Sequence, residues 1–226
     1  MKKRTKTLSA IIIGVAILIG GIWLINESRY PNVPAFDDHF TREFLNKDKK
    51  VDDGFYEFES KTGQYTMWFP EEYTLLSENG DYAKDNKDFE QWEAVPSTSE
   101  TKEYRGAIYV RMAKDHKGNY QDYLESFFKD HLISEQPKLI KTGKTEIYFS
   151  SAHFEINEKN QVVEDIKQKP NSFYAYIIDK ASNKVIEFSF ETSGFKNKQF
   201  EEEKQRKWLM KILRSVQFDD FKDTRN

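Results

Sequence analysis

The sequence predicts an α+β protein: an N-terminal transmembrane helix, then one domain in which a mainly antiparallel sheet is packed by two or three helices. Three observations predict it. Residues 8–25 read LSAIIIGVAILIGGIWLI with no charge, about 27 Å of helix against a hydrocarbon core of about 30 Å. Further along, apolar residues alternate with a period of two in short segments bounded by turn residues. Between and after those segments the period lengthens to that of an amphipathic helix.

The apolar run comes first. Lys2, Lys3, Arg4 and Lys6 precede it, and a basic flank on one side of a span holds that side in the cytoplasm. The run closes on Trp23, Leu24, Ile25, Asn26 and Glu27 without the small-x-small site of a cleaved signal peptide. The expected layout is therefore a cytoplasmic segment at 1–7, an uncleaved signal-anchor at 8–25 and a proline-containing spacer at 26–34. An extracytoplasmic α+β domain at 35–219 and a polar tail at 220–226 complete it. The chain has no cysteine, which excludes a thioether or palmitoyl anchor, disulfides, thiolate metal sites and cysteine nucleophiles.

Of the 35 Lys and Arg, 31 lie beyond residue 25 with all 38 Asp and Glu, so the outer part carries a net charge of −7. That balance argues against nucleic acid as a partner and favours a basic partner surface. The 18 Phe, 12 Tyr and 4 Trp are too much apolar bulk for a disordered tail.

The elements follow in order. In AFDDHFTREFLNK, Phe36, Phe40 and Phe44 fall at i, i+4 and i+8, which predicts a helix whose stripe packs on the domain or lies on the membrane surface. GFYEFES and QYTMWFP, joined by KTG, predict a hairpin with Phe55 or Tyr56, Phe58, Tyr65, Met67 and Phe69 inside and Pro70 at its end. LSENGDYAKDNKD reads as a loop. FEQWEAV and YRGAIYVRMA read as strands, the second burying Ile108, Val110 and Met112. Tyr120, Tyr123, Leu124, Phe127, Phe128, His131 and Leu132 trace one face of a helix that starts near Asn119. KTEIYFSSAHFEIN reads as a long strand, bent near Ser150 and Ser151, with Tyr148, Ala152, Phe154 and Ile156 as core candidates. EKNQVVEDIKQKPN is a charged loop, and SFYAYIID with KVIEFSFET form a second hairpin. The last helix, from about residue 198 to 213, places glutamates first and Lys207, Lys211 and Arg214 late, as the helix dipole favours. Its buried stripe is Phe200, Trp208, Leu209, Ile212 and Leu213, and SVQF follows as a short strand.

Two of these pieces, YTMWFPEEYTLL at 65–76 and WLMKILRSVQF at 208–218, sit at opposite ends of this order of elements. Together they resemble the PsbP-like α/β/α sandwich, named for the extrinsic PsbP subunit of the photosynthetic oxygen-evolving complex. The resemblance spans residues 54–218 and implies a binding or assembly factor without catalysis. The signal-anchor departs from that pattern.

No motif carries a recognisable chemistry. His39, His116, His131 and His153 have neither the i,i+4 nor the HExxH spacing of a zinc site, and each reads as structural. GxSxG, SxxK and glycine-rich phosphate loops are absent. The acidic runs Asp52-Asp53 and Asp219-Asp220 with Asp223 lack the order of a calcium loop and read as solvated surface. No residue is assigned a catalytic, cofactor-binding or metal-binding role, and the residues that bind a ligand or partner are left open. The expectation is a non-catalytic domain held to the membrane through residues 8–25, binding a protein or an envelope ligand outside it as an assembly factor or inhibitor. A cell-envelope hydrolase using unidentified carboxylates, or a structural subunit of a membrane complex, is the alternative.

Overall fold

Asp38 breaks what the sequence presents as one helix. In the computed structural model, which describes residues 27–78, 80–97, 106–115, 118–192 and 202–219, the phenylalanine stripe is divided. A single turn, α1 (Pro34–Asp37), is followed by a 3-10 turn (Thr41–Phe44). Asp38 between them is extended, and its Oδ1 accepts hydrogen bonds from Thr41 N at 2.7 Å and Thr41 Oγ1 at 2.6 Å. A short polar side chain that bonds its own backbone competes with helix continuation. Phe36 packs edge-on against Tyr56 and Phe44 stacks on Phe58. Both are buried, so the stripe packs on the domain and is not available to a membrane surface.

The strands and helices then follow in sequence. β1 (Leu45–Asp52), β2 (Phe55–Glu59) and β3 (Tyr65–Pro70) lead to β4 (Tyr73–Leu75), β5 (Tyr82–Asp85), β6 (Phe89–Pro96) and β7 (Ala107–Lys114). After α2 (Tyr120–Asp130) come β8 (Lys138–Thr142), β9 (Thr145–Ala152), β10 (Phe154–Ile156) and β11 (Val162–Glu164). β12 (Ser172–Asp179), β13 (Lys184–Glu191), α3 (Glu202–Ser215) and β14 (Gln217–Phe218) complete the described chain. The predicted span at 8–25 and the tail at 220–226 lie outside the described residues, as do His116 and Phe200. Among the described residues no helix is long and apolar enough to cross a membrane.

All pairings are antiparallel. One sheet has the order β1-β2-β3-β14 and a larger one β4-β6-β7-β13-β12-β9-β8, with β5 also on β6. The main core lies between them. Phe58, Tyr65, Met67 and Phe69 of the smaller sheet meet Trp92, Val110, Phe188 and Ile177 of the larger one, with Phe58 and Phe69 at 5.1 and 6.0 Å from the Trp92 ring. Leu209, Ile212 and Leu213 of α3 close the same core. Gly106 precedes β7 where a Cβ would come within 2.5 Å of the Phe190 ring and 2.8 Å of Glu191 O, so a side chain there would force the ring or the strand to move. On the far side of the large sheet, Leu124, Phe127 and Phe128 of α2 cover Tyr174, Tyr176, Ile178 and Val185. β12 is therefore buried along its whole length.

Three expectations need correction. LSENGDYAKDNKD is not all loop, because YAKD forms β5, and β1 arises from a polar segment whose middle is exposed. β1 is broken by shifts of register between Leu45 and Lys50 and between Lys50 and Asp52, and β5 is four residues long with none buried, so neither shows a two-residue period. The long strand is interrupted at His153 rather than at Ser150-Ser151; β10 then leaves the sheet to pair with β11 in a separate hairpin. Ile156, expected in the core, is consequently 70% exposed, while Ile147 and Phe149 face the main core instead.

Candidate functional site

The outward face of α3 forms the wall of a shallow groove of about 570 Å³. Its other side is made by Trp68 of β3 and Asp52 at the end of β1. The helix reaches this position because Leu209, Ile212 and Leu213 are drawn into the core, and its end is fixed where Ser215 Oγ accepts a bond from Trp68 N at 2.8 Å and donates to Ile212 O at 2.6 Å. The residues left outside at helical spacing are Glu203, Arg206, Lys207, Met210, Lys211 and Arg214.

Four cations thus line one groove in a domain that is net acidic. Two have internal partners: Lys207 Nζ is 2.8 Å from Glu203 and Lys211 Nζ is 2.7 Å from Asp52. The carboxyls of Glu203 and Asp52 lie below their usual range, in each case chiefly through the hydrogen bond from that lysine. Lys211 also lies over the Phe55 ring at 5.7 Å, and the Arg206 guanidinium over Phe149 at 5.5 Å. With Trp68 and Met210 as apolar floor, the groove presents positive charge beside hydrophobic surface. It suits an anionic ligand with an uncharged body.

The described histidines and the buried Glu90 lie away from this groove. His39 Nδ1 is 2.8 Å from Arg42 Nη2, His131 Nδ1 lies 2.8 Å from Phe127 O with its ring against Phe127 and Tyr174, and His153 Nδ1 lies 2.7 Å from Lys169 O. No two of these share a site. Among the described residues no three His, Cys, Asp or Glu side chains converge as metal ligands. Glu90 is fully buried, with Oε1 accepting from Lys61 N at 3.0 Å and Tyr82 OH at 3.1 Å. It ties the β2–β3 turn to β6 inside the core. On the outer face of the large sheet, burial and the nearby Asp81 and Glu191 raise the Glu93 carboxyl above its usual range.

Of the residues singled out from the sequence, Ser150 is buried within β9 and Asp219 is held by its backbone, its N–H donating to Gln64 O at 3.0 Å and its carbonyl accepting from Lys184 Nζ. Asp220 and Asp223 lie outside the described residues. Asp52, read as solvated surface, instead pairs across the groove. The spacing of Lys207, Lys211 and Arg214 at i, i+4 and i+7 was a visible signal of a cationic stripe. It was masked because the same positions satisfy the helix dipole.

The sequence profile of the family described as "Putative lipoprotein YvcA" matches residues 31–217. The protein described as "Putative lipoprotein YvcA" from Bacillus subtilis (strain 168) is 26% identical over 200 residues, covering 83% of this chain and 78% of that protein. No solved structure matches. The matched span runs from before α1 into β14 and takes in both sheets, α2 and the groove-forming helix, and on that extent the chain belongs to the YvcA putative lipoprotein family.

Proposed function

We propose that this protein is a non-catalytic domain tethered at the outer surface of the cell membrane, where it binds an envelope component through the groove on α3. The observation that carries the reading is the groove itself: Arg206, Lys207, Lys211 and Arg214 over Trp68, in a chain whose outer part is net negative. A cleft lined by charge of one sign focuses the field and draws ligands of the opposite sign to it.

Family membership supports the location. The Bacillus relative is named as a lipoprotein, and a lipoprotein is held to a membrane through an acylated cysteine. This chain has no cysteine. Its apolar segment at 8–25, with the basic flank inside, supplies the same tether as a single-pass signal-anchor. The resemblance of 65–76 and 208–218 to PsbP-like proteins supports a binding or assembly role over catalysis. The hydrolase reading has one observation on its side, the raised carboxyl of Glu93 beside Asp81 and Glu191, a setting in which general acids occur.

The test is co-sedimentation of the full chain, reconstituted in nanodiscs, with an envelope fraction of its native cell. Losing two charge-assisted hydrogen bonds at about 1.5 kcal/mol or more each predicts that the Arg206→Gln/Arg214→Gln double variant binds at least about a hundredfold more weakly. Equal sedimentation of variant and parent would contradict the reading.

A further inference from the structure

Resting on that reading, we infer that the groove takes a linear phosphodiester polymer of the envelope, engaging several of its charged units at once. The cations form a row and not a cluster. Lys207, Lys211 and Arg214 follow one another at i, i+4 and i+7, and Arg206 to Arg214 covers eight residues, about 12 Å along the helix axis. A single phosphate head group is too small to touch both ends of such a row. A chain with an anion every few bonds matches it, since Lys207, Lys211 and Arg214 are spaced by about 6 and 4.5 Å along the axis, with Arg206 one residue, about 1.5 Å, before Lys207.

The chemistry at the row points to phosphodiesters. The two lysines of the row are already paired, Lys207 with Glu203 and Lys211 with Asp52, so among the described residues the arginines at its two ends carry the charge that no carboxylate of the groove pairs. A planar guanidinium fork meets two phosphate oxygens together, and the Arg206 fork lies over the Phe149 ring at 5.5 Å, which orients it. Trp68 and Met210 give the uncharged spacer of the polymer an apolar surface. One indole is too little for a base-bearing strand, which needs a series of aromatic platforms.

Position favours a polymer rooted near the membrane. Tyr30, midway along the spacer, lies 6.0 Å from the Phe36 ring; Phe36 lies 4.8 Å from Tyr56, and the neighbouring Phe55 lies 5.9 Å from Trp68. The groove is thus three ring contacts and one peptide unit from the segment through which the tether enters the domain. The acidic remainder of the domain repels a polyanion elsewhere and leaves this face for it.

The experiment uses the full chain in nanodiscs of uncharged lipid and synthetic glycerol-phosphate oligomers of one, two, four and eight units. Affinity is expected to rise at least tenfold from one unit to four and then level off, and the Arg206→Gln/Arg214→Gln variant, its melting temperature unchanged, loses that rise. Length-independent binding, or stronger binding to phosphatidylglycerol vesicles than to the octamer, would overturn the inference in favour of a lipid head group. Equal binding of oligothymidylate or oligoglutamate of the same charge would overturn the ligand class. If no oligomer binds yet the double variant still fails to sediment with the envelope fraction, the ligand class falls and the binding reading stands; if the variant sediments normally, both fall.

Discussion

Helices α2 and α3 use the same device to join the domain and present opposite surfaces once they have joined it. Each buries one apolar stripe, Leu124, Phe127 and Phe128 in α2 and Leu209, Ile212 and Leu213 in α3. Outside that stripe α2 carries Asp122, Glu125 and Asp130 against Lys129, whereas α3 carries Lys204, Arg206, Lys207, Lys211 and Arg214 against Glu202 and Glu203. Packing explains the inner faces of both. It leaves the outer faces free, and only the α3 face is joined by an aromatic floor and a facing carboxylate from another element. The difference teaches that the informative surface of this protein is the one packing does not require.

The comparison can be sharpened from its stability side first. Phe58 is fully buried among Phe44, Tyr65, Phe69 and Trp92, so Phe58→Ala is expected to cost about 3–5 kcal/mol in the main core beneath α3. Phe127→Ala, in the smaller cluster under α2, is expected to fall at the low end, about 3 kcal/mol. Urea denaturation of the two variants checks the order; a larger loss at Phe127 would reverse the account of which core carries the fold.

The outer faces are expected to separate binding from stability. Arg206→Gln/Arg214→Gln should shift folding stability by less than about 1 kcal/mol, as exposed substitutions do, while weakening binding to the envelope fraction at least about a hundredfold. Charge reversal on the α2 face through Glu125→Lys should alter neither.

Two pH effects are smaller. Asp52 is held below its ordinary 3.8 chiefly by the hydrogen bond from Lys211, so its contribution is complete above pH 3.8 and disappears as the pH falls through the lower folded value. In Lys211→Met, carbon NMR titration should find the Asp52 carboxyl returned towards 3.8; an unchanged titration would mean that the pair across the groove does not persist in solution. Glu93 is displaced the other way, above its ordinary 4.5, by burial and then by Asp81 and Glu191. Its ionised form is disfavoured in the fold, so Glu93→Gln should raise the melting temperature at pH 7. That gain should vanish below pH 4.5, where the carboxyl is protonated in both states.

β3 and β7 were legible because their burial follows a period of two: Tyr65, Met67 and Phe69 alternate with Thr66 and Trp68, and Ile108, Val110 and Met112 with Tyr109 and Arg111. α2 and α3 were legible through their 3.6-residue stripes. β1 and β5 were not, because register breaks interrupt the alternation of β1 and β5 is four residues with no buried side chain. The split of the first helix turned on one competing hydrogen-bond acceptor, Asp38. The groove was half legible. Its cations stand in the sequence at helical spacing, but Trp68 and Asp52 are more than a hundred residues away and meet them only after the smaller sheet packs against α3.

The most direct test of the central claim places a photo-crosslinking amino acid on each outer face of the intact, membrane-inserted protein, at Lys207 in one variant and at Glu125 in the other. Illumination of living cells should give adducts of altered mobility from position 207 and none from position 125. Adducts from position 125 alone would contradict the assignment of the binding surface to α3.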